Sequence, residues 1–325
     1  MAQVETVRGP VDTSALGRTL MHEHVFVLST EIVQNYGGDW WDEEVRVDDA
    51  ITKLNELVSR GITTVVDPTV IGLGRYIPRV QRIAAAVPGL NIIAATGLYT
   101  FDELPHYFAY RGPGTILAGP ELMADLFISD IRDGIADTGV KAAFLKCVVE
   151  EKGLTPGVER VARAVALTHR ETGVPITVHT SATHQTGLLA LDLFAEEGVD
   201  LTKVVIGHSG DTNDIDYLKA IMDRGATAGM DRFGLDMFNP TEARVATIAV
   251  LAQQGYADRM VLAHDASCYI DYFSGQASKD MLDAAAPNWN FRHIPDDVLP
   301  ALSAAGVSDD DLELMLVGNP RRYFE

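Results

Sequence analysis

Cysteine is scarce in this chain, and the two cysteines that occur, Cys147 and Cys268, do not form a Cys-x-x-Cys pair. Two cysteines are too few for a disulfide framework, so the composition favours a reducing compartment. The first residues, MAQVETVRGPVD, also lack the basic region followed by an apolar stretch that marks a secretory signal. We therefore expect a cytoplasmic protein.

Positively charged residues are also scarce relative to acidic ones. Lys and Arg total 26 against 46 Asp and Glu, which gives a formal net charge of -20. Such an acidic surface repels the phosphates of nucleic acid and of anionic lipid, so neither is expected as a partner. The uncharged stretch 83–101 is divided by Pro88, Gly89 and Asn91. Each part is too short to span a membrane.

Glycine-rich phosphate-binding motifs are also absent, since neither Gly-x-Gly-x-x-Gly nor Gly-x4-Gly-Lys-Ser/Thr occurs. This absence argues against a doubly wound nucleotide-binding sheet. Eight short apolar runs alternate with helical patterns instead, namely TLMHEH, ITTVVD, NIIAATGLY, AAFLKC, PITVHT, VVIGHS, TAGMDR and MVLAHD. The alternation predicts an α/β fold, a (β/α)8 TIM barrel forming a single domain over residues 1–325, with long rim loops after strands 7 and 8.

Polar or ionisable side chains end most of the predicted strands, and barrel enzymes place their chemistry at the carboxyl ends of their strands. His22 and His24 are separated by one residue, so on a strand both imidazoles point to the same face. His179, His208 and Asp265 end three further strands. Closure of the barrel would bring all five to one rim. Nitrogen and carboxylate donors of this kind suit zinc or a similar divalent cation, so a metal site is predicted.

Lys146 ends the apolar run AAFLKC and has two interpretations. A protonated ammonium group is only a donor and cannot bind a cation, so in the first interpretation Lys146 pairs with an acidic side chain. In the second, burial lowers its pKa and the free amine reacts with carbon dioxide to give N6-carboxylysine. The anionic carbamate could then bridge two cations. The residues by themselves leave both interpretations open.

Six motifs, in their order and spacing, carry a resemblance to a known family. LMHEH, FLKC, VHT, IGHSGD, MDRFGLD and LAHDAS resemble the phosphotriesterase family of the amidohydrolase superfamily, and more narrowly its phosphotriesterase-like lactonases. The resemblance extends from TVRGPVD near the start to the terminal NPRRYF. It implies two divalent cations per chain, with zinc preferred and cobalt, iron or manganese as alternatives. It also implies a homodimer.

The resemblance assigns a role to each motif residue. The implied metal ligands are the inner set His22, His24 and Asp265, the outer pair His179 and His208, and carboxylated Lys146 as the bridge. A hydroxide shared by the cations would attack the substrate, and Asp265 would handle its proton. Tyr99 and Arg232 match positions that line the lactone pocket of the resembling enzymes. Asp265, Tyr99 and Arg232 are therefore the expected catalytic residues.

Large apolar side chains are frequent in the segments that follow the seventh and eighth predicted strands. These side chains could hold the acyl chain of a substrate, or they could simply pack the loops onto the barrel. The expected substrate-binding residues, besides Tyr99 and Arg232, are Leu235, Tyr269, Ile270, Tyr272 and Phe273.

The resemblance implies a hydrolase that opens a small neutral lactone. N-acyl-homoserine lactones, in quorum quenching, and related γ/δ-lactones are the expected substrates, with side activity on organophosphate triesters such as paraoxon. Hydrolysis of N-acyl amino acids or similar amides stays open as an alternative. Single-metal deamination fits less well, because the glutamate that such deaminases carry three residues after the strand-five histidine is Ala182 here. A barrel that binds a small molecule without catalysis is the remaining alternative.

Overall fold

A sheet of eight parallel strands forms the centre of the computed structural model, which describes residues 2–37, 41–273 and 276–325. Each strand pairs with its neighbours in chain order. The first to eighth barrel strands are Thr19–Leu20, Thr64–Asp67, Asn91–Gly97, Phe144–Val149, Ile176–Thr180, Val204–Gly207, Thr227–Met230 and Met260–Leu262. Each of the eight predicted segments overlaps a barrel strand, and the fold is that of a TIM barrel.

The sheet closes where the first and eighth strands meet. The backbone N–H of Met21 donates to the Leu262 carbonyl over 3.1 Å, and that of Asp265 donates to the His22 carbonyl over 3.0 Å. Above this point Ser267–Ile270 pairs in parallel with His24–Val27. His22 therefore lies between two short strands, and the prediction of one continuous strand through both histidines was wrong. The closing contacts explain the interruption, because the chain shifts there from one strand pair to the next.

Helices connect successive strands on the outside of the barrel. The seven that follow the first to seventh strands are Glu43–Ser59, Ile77–Ala86, Leu122–Arg132, Pro156–Thr172, Thr186–Glu196, Ile215–Asp223 and Thr241–Gln253. The other helices are Thr30–Tyr36, His106–Ala109, Gln276–Ala285, Leu299–Ala304, Asp309–Glu313 and Asn319–Phe324, with π-helical turns at Ile294–Val298 and Leu314–Gly318. A hairpin of Gln3–Thr6 and Gly9–Asp12 precedes the barrel. Within the described residues, no helix has the length and apolar character needed to cross a membrane.

The helix Pro156–Thr172 shows how the sequence sets these boundaries. The Thr155 hydroxyl accepts a hydrogen bond from the backbone N–H of Val158, which satisfies a donor of the first turn. Pro156 occupies the first helical position, where its missing N–H costs nothing. Gly173 ends the helix with a φ of 76°, a left-handed conformation that glycine adopts without strain. The helix predicted from these three signals is present.

Strand alternation divides the core into an inner and an outer part. Phe144 packs with Val66, Ile93, Val205 and Val261 inside the barrel. Its strand neighbours Leu145 and Cys147 belong to the larger cluster between the strands and the helices. Lys146 has the same parity as Phe144 and is fully buried, so its side chain points into the barrel and toward the rim.

Long segments follow several of the barrel strands. Residues 231–240 lie between the seventh strand and its helix, as expected. The segment after the eighth strand is partly regular, because it contains the strand Ser267–Ile270 and the helix Gln276–Ala285. A further long segment, 98–121, follows the third strand and contains one short helix; the sequence pattern did not indicate its length.

Candidate metal centre

Three of the predicted site residues have left-handed backbone conformations. His208 directly follows the sixth strand, Arg232 lies two residues beyond the seventh strand, and Asp265 lies in the closing region of the eighth, with φ angles of 63°, 61° and 52°. This conformation costs on the order of 1 kcal/mol for a residue with a side chain, and such residues concentrate at functional sites. The strain therefore coincides with the carboxyl-terminal rim, where barrel enzymes carry their chemistry.

An inner group of donor atoms comes together from the first and eighth strands. His22 Nε2 and His24 Nε2 each lie 3.4 Å from Asp265 Oδ1. Metal bonds of about 2.0 Å at a tetrahedral angle place neighbouring donor atoms about 3.3 Å apart. Both distances therefore match the spacing of ligands around one cation, and the three residues form one of two candidate metal-binding groups in the described part of the chain.

Hydrogen bonding behind His24 leaves the correct nitrogen free for a cation. The Thr69 hydroxyl donates to Asp67 Oδ1 over 2.5 Å. The same hydroxyl lies 2.7 Å from His24 Nδ1 and must accept the hydrogen of that nitrogen. The lone pair of His24 is consequently on Nε2, the atom that faces Asp265.

An outer pair of nitrogens lies on the fifth and sixth strands. His208 Nε2 is 2.8 Å from His179 Nδ1. The other ring nitrogens face carboxylates, since His208 Nδ1 is 2.8 Å from Asp231 Oδ1 and His179 Nε2 is 3.4 Å from Glu150 Oε1. If each outward nitrogen donates its hydrogen to a carboxylate, the two inward nitrogens direct lone pairs at each other. Such lone pairs repel unless a cation lies between them, so the donor set fits a metal ion.

Asp231 connects the inner and outer groups, and sequence reasoning did not assign it a function. Its Oδ2 lies 3.2 Å from His22 Nδ1, a buried nitrogen without an aligned hydrogen-bond partner among the described residues. Burial alone would raise the pKa of Asp231, but His208 and His22 hold it below its ordinary value. His22, His208 and Asp231 form the second candidate group. The available signal was its position, because Asp231 directly follows the seventh strand.

Burial favours the uncharged form of three histidines of the site. It lowers the pKa of His22 and of His208, and it lowers the pKa of His179 to about 4. Lys146 Nζ lies 3.2 Å from His22 Nε2, and burial lowers the pKa of this lysine to about 8. Neutral imidazoles are the form that binds a metal. A lysine of this pKa also presents more free amine near neutral pH than an exposed lysine does.

Arg232 is fixed at the rim by two carboxylates. Its Nε donates to Asp265 Oδ2 over 3.1 Å, and its Nη1 donates to Asp211 Oδ2 over 2.8 Å. The fully buried Arg244 donates to the other oxygen of Asp211. Burial alone would raise the pKa of Asp265, but His22, His208 and Arg232 hold it well below its ordinary value. Asp265 is therefore an anion, and Arg232 remains a cation paired with it.

Tyr99 stands beside the outer pair. Its hydroxyl lies 3.4 Å from His179 Nδ1, and its ring meets that imidazole edge-on at a centroid distance of 5.4 Å. Burial and the nearby Asp265 carboxylate raise the pKa of the phenol. The Tyr99 hydroxyl therefore keeps its proton and can donate a hydrogen bond at the mouth of the site.

A cavity of about 440 Å³ opens above these groups. Its floor includes His22, His24, His179 and Asp265, and Tyr99 and Arg232 lie at its side. The apolar wall contains Val27, Leu73, Leu235, Met237, Phe238, Ile270, Phe273, Met281, Leu282, Ala285 and Trp289, with Tyr272 beside them. Four of the five predicted loop residues thus line the cavity. Val27, Leu73, Leu282 and Ala285 were not anticipated.

Tyr269 is the predicted pocket residue that the structure places elsewhere. It lies on the strand Ser267–Ile270, where alternation turns Ile270 toward the cavity and Tyr269 away from it. The Tyr269 ring packs against Trp41 at 5.5 Å, and the guanidinium of Arg46 lies 4.2 Å from its centre. Tyr269 therefore supports the outer face of the rim.

Fold and site together define a metal-dependent hydrolase built on a TIM barrel. Residues 2–324 match the model of the Phosphotriesterase family, and the chain belongs to that family. It is 55% identical over 325 residues to the "Phosphotriesterase homology protein" of Mycobacterium tuberculosis, covering 100% of this chain and 98% of that one. The "Aryldialkylphosphatase" of Saccharolobus solfataricus is 39% identical over 314 residues, with 97% and 96% covered.

A solved structure agrees with the sequence relatives. The "phosphotriesterase from Mycobacterium tuberculosis" superposes with a TM-score of 0.96 at 55% identity, covering 99% of this chain and 98% of that chain. The resemblance inferred from the six sequence motifs is therefore confirmed at the level of the family.

Proposed function

We propose that this protein opens small neutral lactones with two divalent cations. N-acyl-homoserine lactones, in quorum quenching, and related γ/δ-lactones are the proposed substrates, with organophosphate triesters hydrolysed as a side activity. The observation that carries the proposal is the largely apolar cavity of about 440 Å³ whose floor is the cluster of metal-ligating side chains. A relative named "Aryldialkylphosphatase" supports the side activity.

The charges around the cavity favour a neutral substrate. Arg232 is the single Lys or Arg among the described residues that line it. Both sides of its guanidinium are engaged, by Asp265 and by Asp211. A carboxylate on the substrate would therefore find no unpaired cationic side chain in the lining, and it would approach a protein of formal net charge -20. An acyl chain would instead find apolar walls.

Each proposed cation would have its own set of ligands. His22, His24 and Asp265 would hold the inner cation, and His179 and His208 would hold the outer one. Zinc suits these nitrogen and oxygen donors best, and cobalt, iron or manganese could replace it. When bound, the two cations would lower the pKa of water and polarise the carbonyl of the substrate.

Carboxylated Lys146 is the proposed bridge between the two cations. Two observations support it: the side chain is fully buried inside the barrel, and its pKa is lowered to about 8 by that burial. Its Nζ lies beside His22 Nε2. The neutral amine would attack the carbon of carbon dioxide and release one proton, which leaves an anionic carbamate on Nζ.

The side chains around the ligands supply proton transfer and orientation. Asp265, an anion at neutral pH, accepts the proton of the attacking water and passes it to the alkoxide that leaves as the ring opens. Tyr99 keeps its proton and donates a hydrogen bond to the lactone. Arg232 holds Asp265 through a hydrogen bond of 3.1 Å and so orients that carboxylate. The product is the ring-opened hydroxy acid.

One assay panel tests this function. The metal-loaded protein is given acyl-homoserine lactones, γ- and δ-lactones, paraoxon and N-acyl amino acids in parallel. We expect kcat/KM for the best lactone to exceed that for paraoxon and the amides by about tenfold or more, which corresponds to roughly 1.4 kcal/mol in the barrier. Faster turnover of the amides would favour the amidohydrolase alternative. No turnover of any of them would favour a non-catalytic binding protein.

The assembly and location expected from the sequence stay predictions. We propose a homodimer, which static light scattering tests directly by giving twice the mass of one chain. The cytoplasmic location is tested by fractionating cells that express the full chain.

A further inference from the structure

Glu23 is a buried carboxylate that stands between the ligands His22 and His24 and belongs to neither candidate metal group. Its Oε1 accepts hydrogen bonds from the backbone N–H of His264 and from His264 Nδ1, both over 2.7 Å. Its Oε2 accepts the backbone N–H of Ala266 over 3.1 Å. The carboxylate therefore hydrogen-bonds to the backbone on both sides of Asp265.

Backbone hydrogen bonds also connect the His22–His24 segment to the segment around Asp265. Asp265 N donates to the His22 carbonyl over 3.0 Å, and His24 N donates to the Ala266 carbonyl over 2.8 Å. Asp265 itself has a φ of 52°. A residue in this conformation keeps it only when its surroundings hold it there. The Glu23 carboxylate supplies side-chain contacts that help to hold it.

His264 completes the arrangement and has a defined hydrogen position. Its Nε2 accepts the backbone N–H of Ile294 over 2.9 Å, so the hydrogen is on Nδ1 and is donated to Glu23. The imidazole is fully buried. The His264 carbonyl also accepts the indole N–H of Trp289 over 3.0 Å, and Trp289 lines the cavity. One residue thus contacts both the Asp265 segment and the cavity wall.

We propose that Glu23 and His264 are positioning residues that hold Asp265 in its metal-binding orientation and Trp289 in the cavity wall. The proposal rests on the metal centre described above. Glu23 and His264 touch neither the substrate cavity nor a cation site, so they act through Asp265 and Trp289. Loss of the His264 imidazole would leave a buried carboxylate short of a partner and free the chain around Asp265. Loss of a supporting residue of this kind costs about 10–100-fold in metal affinity.

The test compares His264→Phe with a matched control, His169→Phe. His169 is also buried, its Nδ1 faces the Val174 carbonyl at 2.8 Å, and its Nε2 accepts the backbone N–H of Asp200 over 3.4 Å. It lies on the outer helix Pro156–Thr172, away from the rim. Cobalt is titrated into each full-length, metal-stripped chain and followed by visible absorption. Amide hydrogen exchange of the peptide 260–270 is measured without metal.

We expect His264→Phe to bind cobalt about 10–100-fold more weakly than the wild type and to exchange the amides of 264–266 faster. His169→Phe should change neither quantity. His264→Gln, which supplies one donor and one acceptor, should recover most of both. Glu23→Gln serves as a milder second variant if His264→Phe does not fold. Both oxygens of the Glu23 carboxylate accept hydrogen bonds from N–H groups, whereas the glutamine NH2 group is a donor and would face one of these N–H groups.

Two results would overturn the inference. One is unchanged cobalt affinity and unchanged exchange in both the His264→Phe and Glu23→Gln variants. The other is an equal effect of His169→Phe, which would show a general loss of stability. A wild-type chain that binds no cobalt would instead refute the metal centre itself, and the exchange of 264–266 in the metal-free variants would then decide on its own whether the pair holds this segment.

Discussion

Lys146 is the residue for which we propose a covalent modification. It is fully buried, its Nζ lies 3.2 Å from His22 Nε2, and burial lowers its pKa to about 8. We expect Lys146→Ala to lose more than about a hundredfold in kcat, because loss of the proposed carbamate bridge would weaken the binding of cations that supply several kcal/mol of charge stabilisation. Added short carboxylates such as acetate should restore part of the activity.

The control for this variant is Lys141→Ala, which removes a partly exposed lysine outside the barrel strands. Its kinetics on lactones and its cobalt affinity should match those of the wild type. Full activity and unchanged metal content in Lys146→Ala would refute the carbamate bridge.

His179 makes the stability of the metal-free protein depend on pH. Burial lowers the pKa of His179 in the folded chain to about 4, against an ordinary value of 6.5. Between pH 6.5 and pH 4 the unfolded chain binds a proton that the folded chain does not, so the free energy of unfolding falls as the pH falls. Burial shifts the pKa of His22 and His208 in the same direction.

Urea unfolding of the metal-stripped chain at a series of pH values measures this effect. We expect a decrease on the order of a few kcal/mol across the window, and a shallower decrease in His179→Asn. A profile that is flat from pH 6.5 to pH 4 would contradict the burial argument.

At the scale of elements, the close approach of the third and fourth strands depends on Gly97. Gly97 has a φ of 140°, and a Cβ added there would overlap the carbonyl oxygen of Lys146. Gly9 also has a positive φ, of 101°, but a Cβ there would meet no atom within 4 Å. We expect Gly9→Ala to cost about 1 kcal/mol from its backbone conformation alone. Gly97→Ala should cost on the order of 3 kcal/mol more, because it must also separate the strands.

The comparison is made by urea denaturation of both variants without metal. Equal losses of stability would show that the strand contact at Gly97 is unimportant. The substitution should also affect the metal centre, because the fourth strand, which Gly97→Ala would displace, carries Lys146. Cobalt affinity should therefore fall in Gly97→Ala and stay constant in Gly9→Ala.

The helix Gln276–Ala285 forms one wall of the cavity and should set the length of the acyl chain. Both Ala284 and Ala285 are exposed, but Ala285 lines the cavity and Ala284 does not. Ala285→Phe should lower kcat/KM for long-chain acyl-homoserine lactones by about tenfold, because the ring occupies the volume of the chain. Short-chain lactones should be affected much less. The matched variant Ala284→Phe should behave like the wild type, and an equal loss on short and long chains would contradict the assigned wall.

Strand alternation also explains which pocket residues could be predicted. The segment after Asp265 was expected as a loop, so Tyr269 and Ile270 were assigned to the pocket together. Ser267–Ile270 is a strand, and its two faces separate these residues. The strand Ser267–Ile270 pairs with His24–Val27. This pairing joins segments more than two hundred residues apart, and local sequence patterns do not reveal such a contact.

At the scale of the whole molecule, the barrel and its ring of polar strand ends could be predicted from the sequence. Parallel strands share one carboxyl-terminal rim, so His179, His208 and Asp265 converge through topology alone. The supporting residues could not be predicted. Asp231 contacts His208 and His22 across the barrel mouth, and Glu23 contacts His264 across the closing seam. Those contacts depend on side-chain directions that spacing in the sequence does not specify.

The most direct test of the account is anomalous X-ray diffraction from crystals of the cobalt-loaded protein with a bound lactone analogue. We expect two cobalt peaks per chain, one among His22, His24 and Asp265 and the other between His179 and His208. Density for a carbamate on Lys146 should join them, and the ring of the analogue should lie beside Tyr99. Absence of cobalt from both positions, or an analogue bound away from this rim, would contradict the metal-dependent lactonase proposed for this chain.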